Sequence, residues 1–276
     1  MSTVTMQMRA SYAFVERNFN LIKRYWSWEM VWLIYSTAES LSVSFIGLGM
    51  GVIGGANPAI DTGYLVLYLL IGNLVWRFLS QIFYWITDLI SIERWEGTIE
   101  YTLMAPIPRF THMLGQTFFA VLYSLVFTGV LLLATAMVFK IDLSSANLAG
   151  GLVMLLAGSF SFIGIGIMAS VFPLLFPERG SQMTHVFIAL LLLVSGVYYP
   201  IDVLPGLLKQ MAVYSPATYV LVGTRQALLE GASTLSLWPN IWPVLIMGAL
   251  LIPMGLAVFE QAERYAKRTG KLHRNG

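Results

Sequence analysis

The sequence predicts an all-α membrane protein: six transmembrane helices, an N-terminal interfacial helix, and a re-entrant helical hairpin between the fifth and sixth. Three observations predict it. The mean hydropathy is +0.73, with 57 % of residues hydrophobic and only 11 % charged, a composition far from that of soluble domains. Apolar runs of about twenty residues, the length that crosses a hydrocarbon layer, recur along the chain. The lysines and arginines gather in alternate connections between those runs, as the positive-inside rule requires. A single transmembrane domain, residues 1–276, accounts for the whole sequence, without internal repeats or low-complexity segments.

Residues 1–30 carry mixed charge. Tyr12, Val15, Phe19, Ile22 and Trp26 step by 3, 4, 3 and 4, which lines one face of a helix, while Arg17 and Arg24 fall elsewhere on the wheel. This predicts an amphipathic helix in the membrane interface; a soluble arm folded on a partner is the alternative. No cleavable signal peptide is expected in front of the first apolar run. The six-helix membrane domain covers 31–259. Hydropathy places its spans at Val31 to Ile53, Tyr64 to Ile86, Met113 to Phe139, Leu148 to Phe176, Thr184 to Val197 and Trp238 to Phe259. The fifth is short against the about 20 residues a span needs, so it is expected to continue into the proline-broken segment after it.

Positive charge sets the orientation. Arg9, Arg17, Lys23 and Arg24 precede the first span, Arg94 and Arg109 follow the second, Arg179 follows the fourth, and the basic tail at 260–276 holds Arg264, Lys267, Arg268, Lys271 and Arg274. These are twelve of the sixteen cations, against Lys140, Lys209 and Arg225 on the other side. A plasma (inner) membrane protein with both termini in the cytoplasm is the expectation, its tail lying along the anionic leaflet.

Two charges fall inside spans. Counted from the cytoplasmic ends at 1.5 Å per residue, Glu39 lies roughly 12 Å deep and Arg77 roughly 13 to 14 Å deep. Matched depths on adjacent antiparallel helices predict an intramembrane ion pair. The alternatives are a wet cavity that each would face, or a contact from Arg77 to Asn73 one turn away.

The connection at 91–109 includes ERWEGTIEYTLMAPIPR, which packs three glutamates, two arginines and two prolines into seventeen residues. Ser91 to Glu96 closes the second span, Gly97 breaks the helix, Thr98 is the expected N-cap of a short second helix, and Glu100 suits its dipole. Pro106 and Pro108 end it. The segment 198–231 is a second irregular region. Its stretch Val203 to Val213 is too short to cross a bilayer, and Pro200, Pro205, Gly206 and Pro216 interrupt any continuous helix. Such a break is tolerated at membrane depth only where protein or water covers it.

The order Glu-Arg-x-Glu-Gly-Thr-Ile-Glu after the second span resembles the cytoplasmic signature of type-2 ATP-binding cassette (ABC) permeases, with Trp95 where an acidic residue is common. The hairpin SGVYYPIDVLPGLLKQMAVYSPATYVLVGTRQALLEG, from Ser195 to Gly231 and including Arg225, resembles the same family's re-entrant segment. The resemblance implies that Glu93, Arg94, Glu96, Gly97, Thr98 and Glu100 belong to a coupling helix resting on a separate ATPase subunit. It further implies a complex of two ATPase copies with two permease copies, as a homodimer or related heterodimer. ATP and Mg would be bound by that partner.

No GxxxxGK[ST] is present: the only Gly-Lys pair, Gly270 and Lys271, has Tyr265 where the first glycine belongs. The histidines His112, His185 and His273 lack ligand spacing, and there is no cysteine, so no metal site and no cofactor are expected in this chain. Nor is an enzyme expected, or a nucleic-acid partner. The expectation is an exporter permease moving a hydrophobic or amphipathic drug, natural product or lipid. Export of a polyprenyl-linked glycan, or ion-coupled secondary transport using Glu39 and Arg77, are the alternatives.

Overall fold

The computed structural model describes residues 3–53, 62–105, 108–141 and 144–270. Among the described residues every regular element is helical. In chain order these are α1 (Thr3–Arg24), α2 (Trp26–Ile53), α3 (Thr62–Glu96), α4 (Ile99–Met104), α5 (Arg109–Phe139), α6 (Leu148–Ala169), α7 (Val171–Leu175), α8 (Gly180–Ser195), α9 (Gly206–Val213), α10 (Pro216–Leu229) and α11 (Trp238–Arg268). Five stretches are long and apolar enough to cross a membrane: Trp26–Met50, Thr62–Glu96, Thr111–Phe139, Leu148–Leu175 and Trp238–Arg268.

The sixth, α8, has 16 residues and rises only about 24 Å, short of the about 30 Å hydrocarbon thickness. It does not continue as expected. Gly196 adopts a left-handed conformation at φ 70° and stops the helix; the chain then passes through a single 3₁₀ turn, Ile201–Val203, into α9 and α10. The two halves of this hairpin differ. The side chains of α9 are mostly exposed, with only Ala212 buried, whereas α10 is packed into the bundle through Ala217, Val220, Leu221 and Ala227.

The centre is α3. Phe78, Leu79, Ile82, Phe83, Ile86 and Ile90 are fully enclosed by the surrounding helices. In lipid, hydrophobicity does not draw helices together, so close packing must do it. A Cβ on Gly164 of α6 would lie 2.6 Å from the Leu251 carbonyl carbon of α11, so the two backbones touch there. Ser161 Oγ ties the same helices by donating to Val244 O at 2.8 Å.

Two helices run past their hydropathic ends. At 35 residues α3 continues ten residues beyond Ile86, and α11 continues to Arg268. The described part of the basic tail is therefore helical and partly docked, with Ala262, Glu263 and Ala266 buried; Lys271 and Arg274 lie outside the described residues. At the other end α1 leans on α5. Ser11 Oγ donates to Thr111 O at 3.2 Å, Asn18 bonds Gln116, and the Phe14 ring meets His112 edge-on at 4.8 Å. The stripe read as one apolar face is split: Val15 and Ile22 are half-buried, while Tyr12, Phe19 and Trp26 point outward, and Trp26 already belongs to α2.

Candidate functional site

The charged connection folds into a rigid knob. Gly97, at φ 72°, ends α3 with a paired cap: Thr98 N–H donates to Glu93 O at 2.9 Å and Gly97 N–H to Arg94 O at 3.3 Å. Thr98 stands at the N-cap of α4, yet its side chain makes no cap bond; its hydroxyl turns back to Glu93 O at 3.5 Å. The expected side-chain cap is replaced by the backbone cap of the preceding helix. Ile99 and Leu103, four apart, bury one face of α4. Lys267 of α11 donates to Leu103 O at 3.3 Å and to Glu263 at 2.7 Å, which satisfies a carbonyl at the end of a six-residue helix.

The six residues read as one coupling surface separate into three kinds. Glu93 is 0 % exposed; its Oε1 lies 3.4 Å from Arg17 Nη1 and 3.6 Å from His112 Nε2, so it joins α1, α3 and α5. Arg94 is buried as well. Gly97 and Thr98 make the turn. Only Glu96 is exposed, with Glu100 half-buried. The outward face is instead large and mostly apolar: Trp95 is 73 %, Tyr101 77 % and Met104 73 % exposed. Reading the loop by its charge missed this. The available signal was spacing, since Tyr101 and Met104 fall three apart on the side opposite Ile99 and Leu103. Pro106 lies outside the described residues; Pro108 precedes α5.

Inside the bundle Arg77 Nη1 lies 3.3 Å from Glu39 Oε2. Arg77 also bonds the Ser36 hydroxyl and sits 5.8 Å from the Phe127 ring centroid. Asn73 is engaged elsewhere: it donates to Ser40 Oγ at 2.9 Å and accepts from Tyr198 at 3.2 Å. The contact from Arg77 to Asn73 is thus not made. Sequence reasoning also passed over a neighbouring aromatic column. Phe119, Tyr123 and Phe127, spaced by four on α5, stack at 6.1 and 5.8 Å, Trp85 meets Tyr123 at 5.2 Å, and the Tyr123 hydroxyl bonds Glu29.

Arg225 is a clamp at the hairpin. Its guanidinium donates to Gly196 O at 3.1 Å, Val197 O at 2.6 Å and Tyr68 O at 3.4 Å, and covers the Tyr68 ring at 3.5 Å. The Gly196 and Val197 carbonyls follow the end of α8, where no further helix turn could satisfy them. A Cβ at Gly72 of α3 would lie 2.2 Å from Val197 O, so the clamp depends on a bare backbone there. Pro200 and Pro205 flank the 3₁₀ turn, and Gly206 and Pro216 begin α9 and α10.

An apolar helical bundle with an outward-facing knob at one end and a broken hairpin at the other defines a multi-pass membrane protein. The profile of the ABC-2 type transporters matches residues 9–229. The chain belongs to that family. It is 27 % identical over 128 residues to the linearmycin resistance permease protein LnrN of Bacillus subtilis, a stretch covering 46 % of this chain and 32 % of that protein. It is 22 % identical over 209 residues to the probable multidrug ABC transporter permease YbhR of Escherichia coli, covering 74 % of this chain and 54 % of that one. The chain thus spans between a third and about half of the length of these relatives.

Proposed function

We propose that this chain is the permease subunit of an ATP-driven exporter of hydrophobic or amphipathic molecules, with a separate ATPase subunit docked on α4. The observation that carries the proposal is the knob. Its inner face is fixed by Ile99, Leu103 and Lys267, and its outer face presents Trp95, Tyr101 and Met104 to whatever lies beyond the bundle. A partner with an apolar groove, rimmed by a cation for Glu96, would meet that face. In this reading two permeases and two ATPases form the complex, the ATPases hold ATP and Mg, and the knob and both termini are cytoplasmic. Drug or natural-product export is favoured over glycan export by the names of the relatives, one for linearmycin resistance and one for probable multidrug transport.

The test is Trp95→Ser combined with Tyr101→Ser, both exposed and therefore dispensable for folding. The variant should reach the membrane in normal amount. Its co-purification with an ATP-binding subunit, detected by photolabelling with azido-ATP, should fall together with ATP-dependent drug efflux. Undiminished association in a correctly inserted variant would sink the proposal.

A further inference from the structure

The central helix α3 is enclosed almost throughout, and where it is not enclosed it is polar. From Leu69 to Ser91 every residue is buried except Arg77, Gln81, Tyr84, Trp85, Asp88 and Ser91. These step by 4, 3, 1, 3 and 3, which keeps them within about 120° of arc on one face of the helix. Each carries a hydrogen-bonding group. A face turned to lipid would show the reverse, because polar side chains are costly in hydrocarbon; here Phe78, Leu79, Ile82 and Phe83 are the ones turned inward.

The stripe is flanked by α5 and α8. Trp85 meets Tyr123 of α5 edge-on at 5.2 Å, and Arg77 lies 5.8 Å from the Phe127 ring. On the other flank the His185 ring of α8 lies 5.0 Å from that of Tyr84, and Ser181 Oγ lies 3.4 Å from Ser91 Oγ. Arg77 has Glu39 as its partner, and Glu29 accepts from the Tyr123 hydroxyl. Asp88 differs. Among the described residues its half-buried carboxylate makes no hydrogen bond and no ion pair. Both of its oxygens, the Gln81 amide and the Tyr84 hydroxyl keep accessible surface, whereas Trp85 Nε1 is enclosed and that residue offers only its ring.

The surroundings of that carboxylate determine what it would take. Tyr84 and Trp85 stand four and three residues before it, one turn away on the same face, and rings beside an acid suit a cation, which their faces attract. The charges agree. Along the stripe and its partners Glu29, Glu39 and Asp88 stand against Arg77, so an anion is disfavoured. Among the described residues no cluster of acids and histidines completes a metal's ligand set. Position adds a further requirement: Asp88 lies two residues past Ile86, where the hydropathic stretch ends, so a charge held there has hydrocarbon on one side. An organic cation with an apolar body meets every condition.

We infer that this stripe receives the cationic head of a membrane-dissolved amphiphile, with Asp88 pairing its charge and the Tyr84 and Trp85 rings beside it. The inference rests on the export reading above, whose substrate class it names. To test it, the full chain in lipid nanodiscs is titrated against rhodamine 6G, a fluorescent cationic amphiphile, with anisotropy as the readout. Asp88→Asn keeps the shape of a side chain that holds no native bond, so the fold should survive while the affinity falls by about tenfold or more, the loss of one charge-assisted contact. Glu260→Gln removes an exposed acid outside the stripe and should leave the affinity unchanged. Because the chain has no cysteine, Gln81→Cys introduces a single thiol; it should react with a water-soluble maleimide and be protected by rhodamine 6G. Unchanged affinity in Asp88→Asn, an equal loss in Glu260→Gln, or an unreactive thiol in Gln81→Cys overturns the inference. Disulfide-linked dimers of that last variant, with no maleimide reaction, would assign the stripe to a second copy of the chain instead. None of these measurements involves α4, so their failure leaves ATPase docking there untouched, and failure of the Trp95 and Tyr101 test leaves rhodamine binding untouched.

Discussion

Glu39→Gln, Arg77→Gln and their combination form a double-mutant cycle whose outcome can be worked from the geometry. At 3.3 Å and an effective dielectric of 20, two unit charges attract by about 5 kcal/mol. Desolvation and partial exposure take back much of that, because the side chains are 21 % (Arg77) and 39 % (Glu39) exposed. A net coupling of about 1 to 3 kcal/mol remains. The single variants should not cost the same. Glu39→Gln leaves a permanent cation with the Ser36 hydroxyl and the Phe127 ring, at about 2.5 to 3.5 kcal/mol on insertion scales. Arg77→Gln leaves the more exposed of the two groups, Glu39, and should cost less. The assay is equilibrium unfolding of the purified chain in mixed micelles titrated with sodium dodecyl sulfate, following tryptophan fluorescence. The double variant should be more stable than the sum of the singles predicts, by that coupling. Additivity within about 0.5 kcal/mol, or a larger loss for Arg77→Gln than for Glu39→Gln, refutes the reasoning and favours two groups that serve a wet path independently.

Lys267→Met should release α4 from α11: loss of one charge-assisted bond, about 1.5 to 3 kcal/mol, should raise hydrogen exchange of the Ile99–Met104 amides while leaving those of α6 protected. Gly164→Leu should lower the yield of folded protein, since overpacking a filled contact costs about 1 to 3 kcal/mol. The same change at Gly129, where a Cβ meets nothing within 4 Å, should be tolerated, as size-exclusion profiles of the two variants will show.

Much of the architecture is legible because hydropathy averages over some twenty residues, so errors at single positions cancel. Helical rise did the same for Glu39 and Arg77: counting residues from the span ends gave matching depths, and the structure sets their charged atoms within contact. What could not be read depends on neighbours distant in the chain. Glu93 and Arg94 look like the other charges of their loop, yet α1 and α5 arrive to enclose Glu93, with Arg17 76 residues away. The ends of α3 and α11 were placed too early because polarity begins where the bilayer stops, while the hydrogen-bonded helix has no reason to stop there. Thr98 is the N-cap of α4, and its side-chain bond is missing for a local reason. A left-handed Gly97 commits the Thr98 amide to the α3 cap, which draws the hydroxyl to Glu93 O.

The same local geometry determines where a push on the knob would go. A six-residue helix on a flexible loop would swivel under load and transmit little. Here α4 is held on two sides: the cap at Gly97 fixes it to α3, and Lys267 with the buried Ile99 and Leu103 fixes it to the bundle around α11. Displacement of Trp95 and Tyr101 by a docked partner therefore enters two long helices at once. One is the central helix that carries Arg77 and, almost three turns from its start, the Gly72 contact with the hairpin. The other packs closely against α6, with Pro243 and Pro253 removing two ladder donors from its interior. Helices so interrupted bend at defined points rather than uniformly. The segment between the knob and Pro253 can therefore tilt as a unit while the Gly164 contact serves as its bearing.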